Sequence, residues 1–221
     1  RLFPANGEYL RHVDPKLERE LIKRGAPYFK AQRPLSRVFA TLCEKSFGLK
    51  SVTSDPGMHL PEGKPGAYKK RIAIHPTSSR KDKNWSRSKF IKLVHYLQQD
   101  GYEPHLIMAP YELKGWEIEG VPISAFDTLT ETAHFLYESG FFIGNDSGLG
   151  HLASALHRPT LTLCPRVKQG RRWGPAWAEA HFVYPWLHLP GPKLKELFWK
   201  RFISTKRVHR VLLPLLERHC V

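Results

Sequence analysis

The pattern of apolar and polar positions changes near residue 70. Beyond it, short apolar runs recur: RIAIH (71–75), PHLIMA (104–109), VPISA (121–125), FFIG (141–144) and TLTLC (160–164). Each has the length of a buried strand. Helical signals lie between them. Ser86 precedes a stretch with Phe90, Leu93, Val94 and Leu97 at helical spacing, and Gly101 stops it. A short polar helix is predicted around 111–118. Thr128 and Glu131 form a capping box, hydroxyl and carboxylate each satisfying a free amide of the first turn, and open a helix that runs to Ser139. Residues 148–157 are predicted to form another. Strands alternating with helices make parallel βαβ units joined by right-handed crossovers. The fold class this predicts is α/β, a Rossmann-like doubly wound parallel sheet.

Before residue 71 the pattern is different. DPKLERELIKRGAP has Asp14 as N-cap, Pro15 in the first turn and Gly25 as a stop. PLSRVFATLCEKSFGL places Val38, Phe39, Leu42 and Phe47 near helical spacing and ends at Gly48. The following segment carries Pro56, Gly57, Pro61, Gly63, Pro65 and Gly66, a linker composition. Residues 1–70 are therefore a helical lead-in and linker, 71–190 the α/β domain, and 191–221 C-terminal helices. The tail is basic and aromatic, with Trp173, Trp177, Trp186 and Trp199. Helices are predicted in KLKELFWKRF and TKRVHRVLLPLLE, the second with a stripe of Val208, Val211, Leu212 and Leu215.

Composition narrows the classes. The 221 residues are 41% hydrophobic and 25% charged, which excludes wholesale disorder, collagen-like repeats and a disulfide miniprotein. No run approaches the roughly 18 apolar residues of a membrane span, and the first residues lack the apolar stretch of a signal peptide. Cys43, Cys164 and Cys220 are widely spaced, so reduced thiols in a cytoplasmic compartment are expected. The 12 histidines show no HxH, HExxH or Cys/His cluster, and neither metal nor cofactor is expected. The net charge of +15 calls for an anionic partner: nucleic acid, a phosphorylated ligand or an acidic membrane surface. A nucleic-acid-binding module is one alternative, resting on that charge and six tryptophans. Its basic residues are spread along the chain, and no RRM, KH or zinc signature accompanies them.

In a doubly wound sheet of order 3-2-1-4-5, the connections leaving strands 1 and 4 diverge, and ligands bind in the crevice between them. HPTSSRKDKNW (75–85) and GNDSGLGHL (144–152) fall there. In the second loop, Gly148 and Gly150 permit close backbone approach. The helix beginning near 148 offers free amides and a positive dipole end to a diphosphate. Ser147 is a cap or a phosphate contact, and His151 a packed histidine or a phosphate donor. Asp146 would repel a diphosphate, so it caps the turn or accepts a hydroxyl or amide hydrogen bond. In the first loop, Thr77, Ser78 and Ser79 offer hydroxyls, Arg80, Lys81 and Lys83 offer charge, and Trp85 a flat face. Hydroxyls with a lysine suit a sugar diphosphate, whose charge grows on departure.

The stretch from 71 to about 175 resembles the C-terminal half of the lipopolysaccharide heptosyltransferases, which transfer heptose from ADP-heptose to the inner core. HPTSSRKDKNW, FIGNDSGLGHLASAL, RPTLTLCP and RRWGP carry the resemblance, and D-[ST]-G-x-[GS]-H-L-x-x-A, here Asp146 to Ala155, is its specific part. It implies a GT-B architecture, two Rossmann-like domains facing a cleft, with the C-terminal one holding the nucleotide sugar. It implies inverting, metal-independent transfer, with Thr77, Ser78, Ser79, Lys83, Asp146, Ser147, Gly148, Gly150 and His151 as donor-binding residues. The family's presumed base, an aspartate near the start of the N-terminal domain, has no counterpart before residue 71. The chain therefore resembles the donor-binding half, with the catalytic base on an N-terminal domain or partner subunit, or a non-catalytic nucleotide-binding half. The implied acceptor is an anionic glycolipid, the lipid A–Kdo inner core, with peripheral contact at the inner membrane. A final helix at 206–218 suits a crossing back to the first domain. Cys164-Pro165 stands where the family more usually has aromatic-Gly-Pro.

Overall fold

Strands with apolar residues on both faces need cover on both sides, and the sheet receives it. The computed structural model describes residues 34–187 and 198–220, and the chain divides into two units, Arg1–Ser54 and Asp55–Val221. The predicted helix near 14–25 and the first half of KLKELFWKRF lie outside the described residues. In the first unit, helix α1 (Leu35–Phe47) ends at Gly48, whose φ of 63° is the left-handed cap expected there. Val38 is buried, while Phe39 and Phe47 are exposed, so the predicted stripe is covered only in part.

Among its described residues the second unit holds six strands, all parallel: β1 (Tyr68–His75), β2 (Glu103–Met108), β3 (Ile123–Ala125), β4 (Ser139–Asn145), β5 (Thr160–Leu163) and β6 (Ala180–Val183). Their order is β3-β2-β1-β4-β5-β6, the predicted order extended by one strand. Helices α2 (Arg87–Gln99), α3 (Leu129–Glu138), α4 (Gly148–Ala155), α5 (Val167–Trp173) and α6 (Thr205–His219) complete it. Alternation along the strands feeds two cores. Ile72, Ile74, Leu106, Met108, Phe141 and Ile143 pack with α2 and α6. Ala73, Ile107 and Phe142 pack with Leu136 of α3 and Ala153 of α4 on the other face. The chain travels outward from β1 through β2 to β3, then from β4 through β5 to β6, so the crevice lies at the carboxyl ends of β1 and β4.

Local signals hold in detail at α3. Glu131 N–H donates to Thr128 Oγ1 at 3.2 Å, and Thr128 N–H donates to Glu131 Oε2 at 3.1 Å. Ser86 sits at the N-cap of α2 without capping it through its side chain; its hydroxyl pairs with that of Ser88 instead. The polar helix at 111–118 is reduced to a 3-10 turn at Pro110–Glu112, because Gly115 follows with a φ of 82°. Among the described residues of KLKELFWKRF, 199–202 form a 3-10 turn. Helix α6 is capped by Ser204 and buries Val208, Leu212, Leu215 and Leu216. Val211 is 37% exposed, so the packed stripe swings toward Leu216. That face is used on α2 and β4 of this same unit. Both α5 and β6 went unforeseen: α5 carries an internal glycine and three cations, and β6 is four residues on a sheet edge.

The central pairing leaves no space at Gly140, where an added Cβ would overlap the Lys69 carbonyl of β1. Gly140→Ala is expected to cost at least about 1–3 kcal/mol, the usual penalty of overpacking, read as a lower thermal unfolding midpoint. At Gly148 an added Cβ meets nothing within 4 Å. Gly148→Ala should melt with the parent chain, and equal losses in the two variants would contradict this account.

Candidate functional site

Asn145 ends β4 with no exposed surface. Its Nδ2 donates to the Pro76 carbonyl at 2.7 Å, and its Oδ1 accepts from the Trp85 amide at 2.9 Å. One side chain thereby grips both ends of the loop after β1 and lays it against the loop after β4. Trp85 itself turns inward. It is 2% exposed, packs edge-on against Phe90 at 5.0 Å and donates from Nε1 to the Ile203 carbonyl at 3.0 Å. It is a core residue, and the expectation of a ligand-facing ring is corrected. The tail braces the loop from outside: Trp199 Nε1 donates to the Asp82 carbonyl and Lys200 Nζ to the Lys81 carbonyl, both at 3.0 Å.

A buried polar chain links the ends of three strands. His75, at the tip of β1, has Nδ1 3.1 Å from Ser147 Oγ and Nε2 3.0 Å from Thr77 Oγ1. Glu112 Oε2 lies 3.7 Å from the same Nε2 and accepts from the Ala109 amide at 2.9 Å. Burial alone would raise the Glu112 pKa. Hydrogen bonds from His75, the Ala109 amide and Thr77 outweigh it and hold the carboxyl at about 2. With the Thr77 hydroxyl donating to that carboxylate, its oxygen is left to accept from His75 Nε2–H, which fixes that end of the imidazole as a donor.

The second feature is an ion pair across the crevice. Lys83 Nζ donates to Asp146 Oδ2 at 2.9 Å, and Gln169 Nε2 of α5 donates to the same oxygen. Asp146 is not the N-cap of α4, which is Ser147; it is the acceptor that draws Lys83 and α5 together. Beside it, His151 is pushed below the ordinary histidine range by burial, with Asp146 opposing and Lys83 assisting. Its neutral ring keeps one N–H to donate. Burial raises Cys164, just beyond β5, to about 12, so that thiol is not a nucleophile at neutral pH.

Two cavities meet at the amino end of α4. One, about 750 Å³, is lined by Ser79, Lys83, Asp146, Ser147, Gly148 and His151 on the crevice side, and by Arg166, Lys168, Arg172 and Trp173 from α5 and its approach. The other, about 470 Å³, has Met108, Phe126, Leu149 and Leu152 as apolar walls, with His75, Ser78 and Glu112 among its polar groups. Ser79, Ser147 and Gly148 line both. Seven of the nine residues named from sequence thus reach a cavity. Thr77 does not, since its hydroxyl is committed to the buried chain. Gly150 does not either: it is buried, and an added Cβ would touch Phe142 and Pro175, which makes it a packing glycine. Ser78 reaches the smaller cavity while its hydroxyl lies 2.6 Å from Asn84 Oδ1.

Sequence reasoning missed His75, Glu112 and the cations of α5. The first two stand at or just beyond strand carboxyl ends, where the switch-point rule would have directed attention. Among the described residues, no group of three or more His, Cys, Asp or Glu is placed to hold a metal ion, and no helix is long and apolar enough to cross a membrane.

Comparison with known proteins identifies the family. The family model for glycosyltransferase family 9 (heptosyltransferase) matches residues 40–184. Lipopolysaccharide heptosyltransferase 3 of Escherichia coli (strain K12) is 30% identical over 102 residues, 42% of this chain and 30% of that protein. Lipopolysaccharide heptosyltransferase 1 of Campylobacter coli is 30% identical over 107 residues, 43% of this chain and 31% of that protein. The chain therefore matches about a third of the length of these relatives. Among solved structures, the family 9 glycosyl transferase from Veillonella parvula DSM 2008 superposes with a TM-score of 0.65 at 16% identity, covering 85% of this chain and 61% of that one. E. coli heptosyltransferase WaaC with ADP gives 0.59 at 19% identity, covering 80% and 55%. At such identities the structural likeness is one of fold. The family match extends from within α1 through the last strand and takes in both crevice loops, and on that extent the chain belongs to glycosyltransferase family 9, the heptosyltransferase family.

Proposed function

We propose that this chain is the donor-binding half of a GT-B glycosyltransferase and holds a nucleotide-diphospho-heptose, ADP-heptose, in the crevice between β1 and β4. The observation that carries the reading is the junction of two cavities at the amino end of α4. The smaller, apolar-walled cavity suits a base and ribose, with the ionised Glu112 accepting from sugar hydroxyls. The amides opening α4, with Ser79 and Ser147, suit the diphosphate. The larger cavity then takes the heptose. The structure of a relative with ADP bound supports adenine as the base.

Transfer would be inverting. An acceptor hydroxyl of the lipopolysaccharide inner core, deprotonated by a base on a second domain, attacks the anomeric carbon as its bond to the ADP oxygen breaks. The dipole of α4 and the cations of the crevice stabilise the charge left on ADP. Setting this at the cytoplasmic face of the inner membrane fits the basic surface, as does a second domain that aligns the acceptor. The proximity such alignment supplies is worth up to roughly 7–11 kcal/mol. Calorimetric titration with ADP, UDP and GDP tests the reading: ADP should bind tightest, and absence of heat with all three would overturn it. Salt-sensitive binding of mixed oligonucleotides without ADP binding would favour the nucleic-acid module instead.

Lys83 gives a sharper test. Asp146, at 10% side-chain exposure, would lose its cationic partner if the lysine were removed and keep the neutral Gln169 amide. Lys83→Ala should weaken ADP binding roughly ten- to a hundredfold, as for a lost charge-assisted contact. Adding Asp146→Asn should recover part of the loss. Unchanged affinity in the folded single variant would refute the assignment.

A further inference from the structure

Asn145 holds the two ends of the loop after β1, and the tail holds its middle. Between those ends lies the 3-10 turn Lys81–Lys83, which buries no residue of its own. Two local bonds close it: Lys83 N–H donates to the Arg80 carbonyl at 3.0 Å, and Asn84 N–H to the Lys81 carbonyl at 3.2 Å. A turn so short and so little buried does not by itself fix where its lysine stands. The facing turn of the tail supplies the constraint. Trp199 is 2% exposed, and its Nε1 donates to the Asp82 carbonyl at 3.0 Å.

The Asp82 carbonyl and the Lys83 amide belong to one planar peptide unit. Trp199 holds its oxygen, and the Arg80 carbonyl holds its N–H. The plane cannot flip or tilt without losing one of these bonds. Lys83 leaves the backbone at the edge of that plane, and its Nζ is held at the other end by Asp146, 2.9 Å away. Asp146 alone would fix only the tip, because a flexible four-carbon stem can reach one oxygen from many backbone positions.

The turn at 199–202 is itself anchored on α2. Lys89 Nζ donates to the Lys200 carbonyl and, at 2.9 Å, to the Ile203 carbonyl. Trp85 Nε1 donates to the same Ile203 carbonyl. The tail turn thus spends its own carbonyls on α2 and turns the Trp199 indole toward the loop. Trp199 also lines the larger cavity beside Asp82 and Lys83, so this anchor stands at the site.

We infer that Trp199 is a positioning residue of the donor site: its indole N–H fixes the peptide from which Lys83 reaches the diphosphate. The inference rests on the donor reading of the crevice. A cation ordered before the ligand arrives loses less freedom on binding, so the tail, far along the chain, sets donor affinity through one hydrogen bond.

The test replaces that N–H and little else. Trp199→Phe keeps an aromatic ring. The tryptophan analogue 3-benzothienylalanine at position 199, with sulfur in place of N–H, keeps the whole bicyclic shape and serves if circular dichroism shows the phenylalanine variant unfolded. Either replacement should weaken ADP binding roughly two- to tenfold, the range of one neutral hydrogen bond. Made in the Lys83→Ala background, it should cost less than about twofold, because residues that act through one another are not additive. A second readout needs no ligand. Acetylation of Lys83 by an N-hydroxysuccinimide ester, followed by mass spectrometry, should quicken severalfold in the Trp199 variant, while the exposed Lys92 and Lys206 keep the parent rate. An equal loss of ADP affinity with and without Lys83 overturns the inference, assigning Trp199 to the cavity wall or to the fold. Unchanged ADP affinity in the folded variants also overturns it, as does an unchanged rate at Lys83. If ADP fails to bind the parent chain, the donor reading falls, and the labelling rate still decides whether Trp199 positions Lys83.

Discussion

Two hydrogen bonds from the buried amide of Asn145 determine where the loop after β1 lies. Each partner is a backbone group that would otherwise be buried without satisfaction, at about 1–3 kcal/mol apiece. The amide has one donor face and one acceptor face, matching a carbonyl at one end of the loop and an N–H at the other. Aspartate would lose the donor, and leucine both. Everything the crevice does follows from this grip. It places Ser79 and Lys83 opposite the amino end of α4 and brings Thr77 to the His75 ring. It also holds Trp85 where the tail can pack behind it. The site is two loops clamped to a rigid sheet, with the clamp wholly inside.

Charge within the crevice is organised by pairing rather than abundance. A net charge of +15 could mean a diffuse basic surface. In the crevice, however, Lys83 is a cation with a partner, and its position is defined because Asp146 defines it. The carboxylate that looked unwelcome beside a diphosphate orients the lysine and anchors α5 through Gln169. An ion pair of this kind, largely shielded from water, contributes more to geometry than to net stability. Removing Lys83 alone leaves the largely shielded Asp146 carboxylate with a neutral amide as its partner.

The sheet, its order and the two crevice loops were legible from sequence because they depend on local signals: apolar runs, a capping box and glycine stops at predictable spacing. The motif Asp146 to Ala155 located α4 correctly. What could not be read was which polar residues face inward. Thr77 and Ser79 are alike on paper. One hydrogen-bonds a histidine inside the protein and the other lines both cavities. Trp85 offered a flat ring and proved to be core, because its environment comes from residues near 203, far along the chain. Glu112 and His75 gained their roles only through contact with each other. Helix α5 lacked periodicity because glycine, not an apolar stripe, seats it on β6. Each of these depends on long-range placement, which no window of sequence contains.

The parallel order of the sheet also has a kinetic side. Strand β1 lies at its centre and cannot acquire its β4 neighbour until the chain through Asn145 exists, and the Asn145–Pro76 bond alone spans 69 residues. Closing so long a loop costs entropy before any contact compensates for it, so such topologies fold slowly. On a ribosome, Ile72 and Ile74 emerge well before Phe141 and Ile143, and meanwhile one edge of β1 stays unpaired and prone to misassociation. The crevice comes into being in the same step that zips β1 to β4. A ligand held there therefore recognises the completed sheet and withdraws it from the unfolding equilibrium.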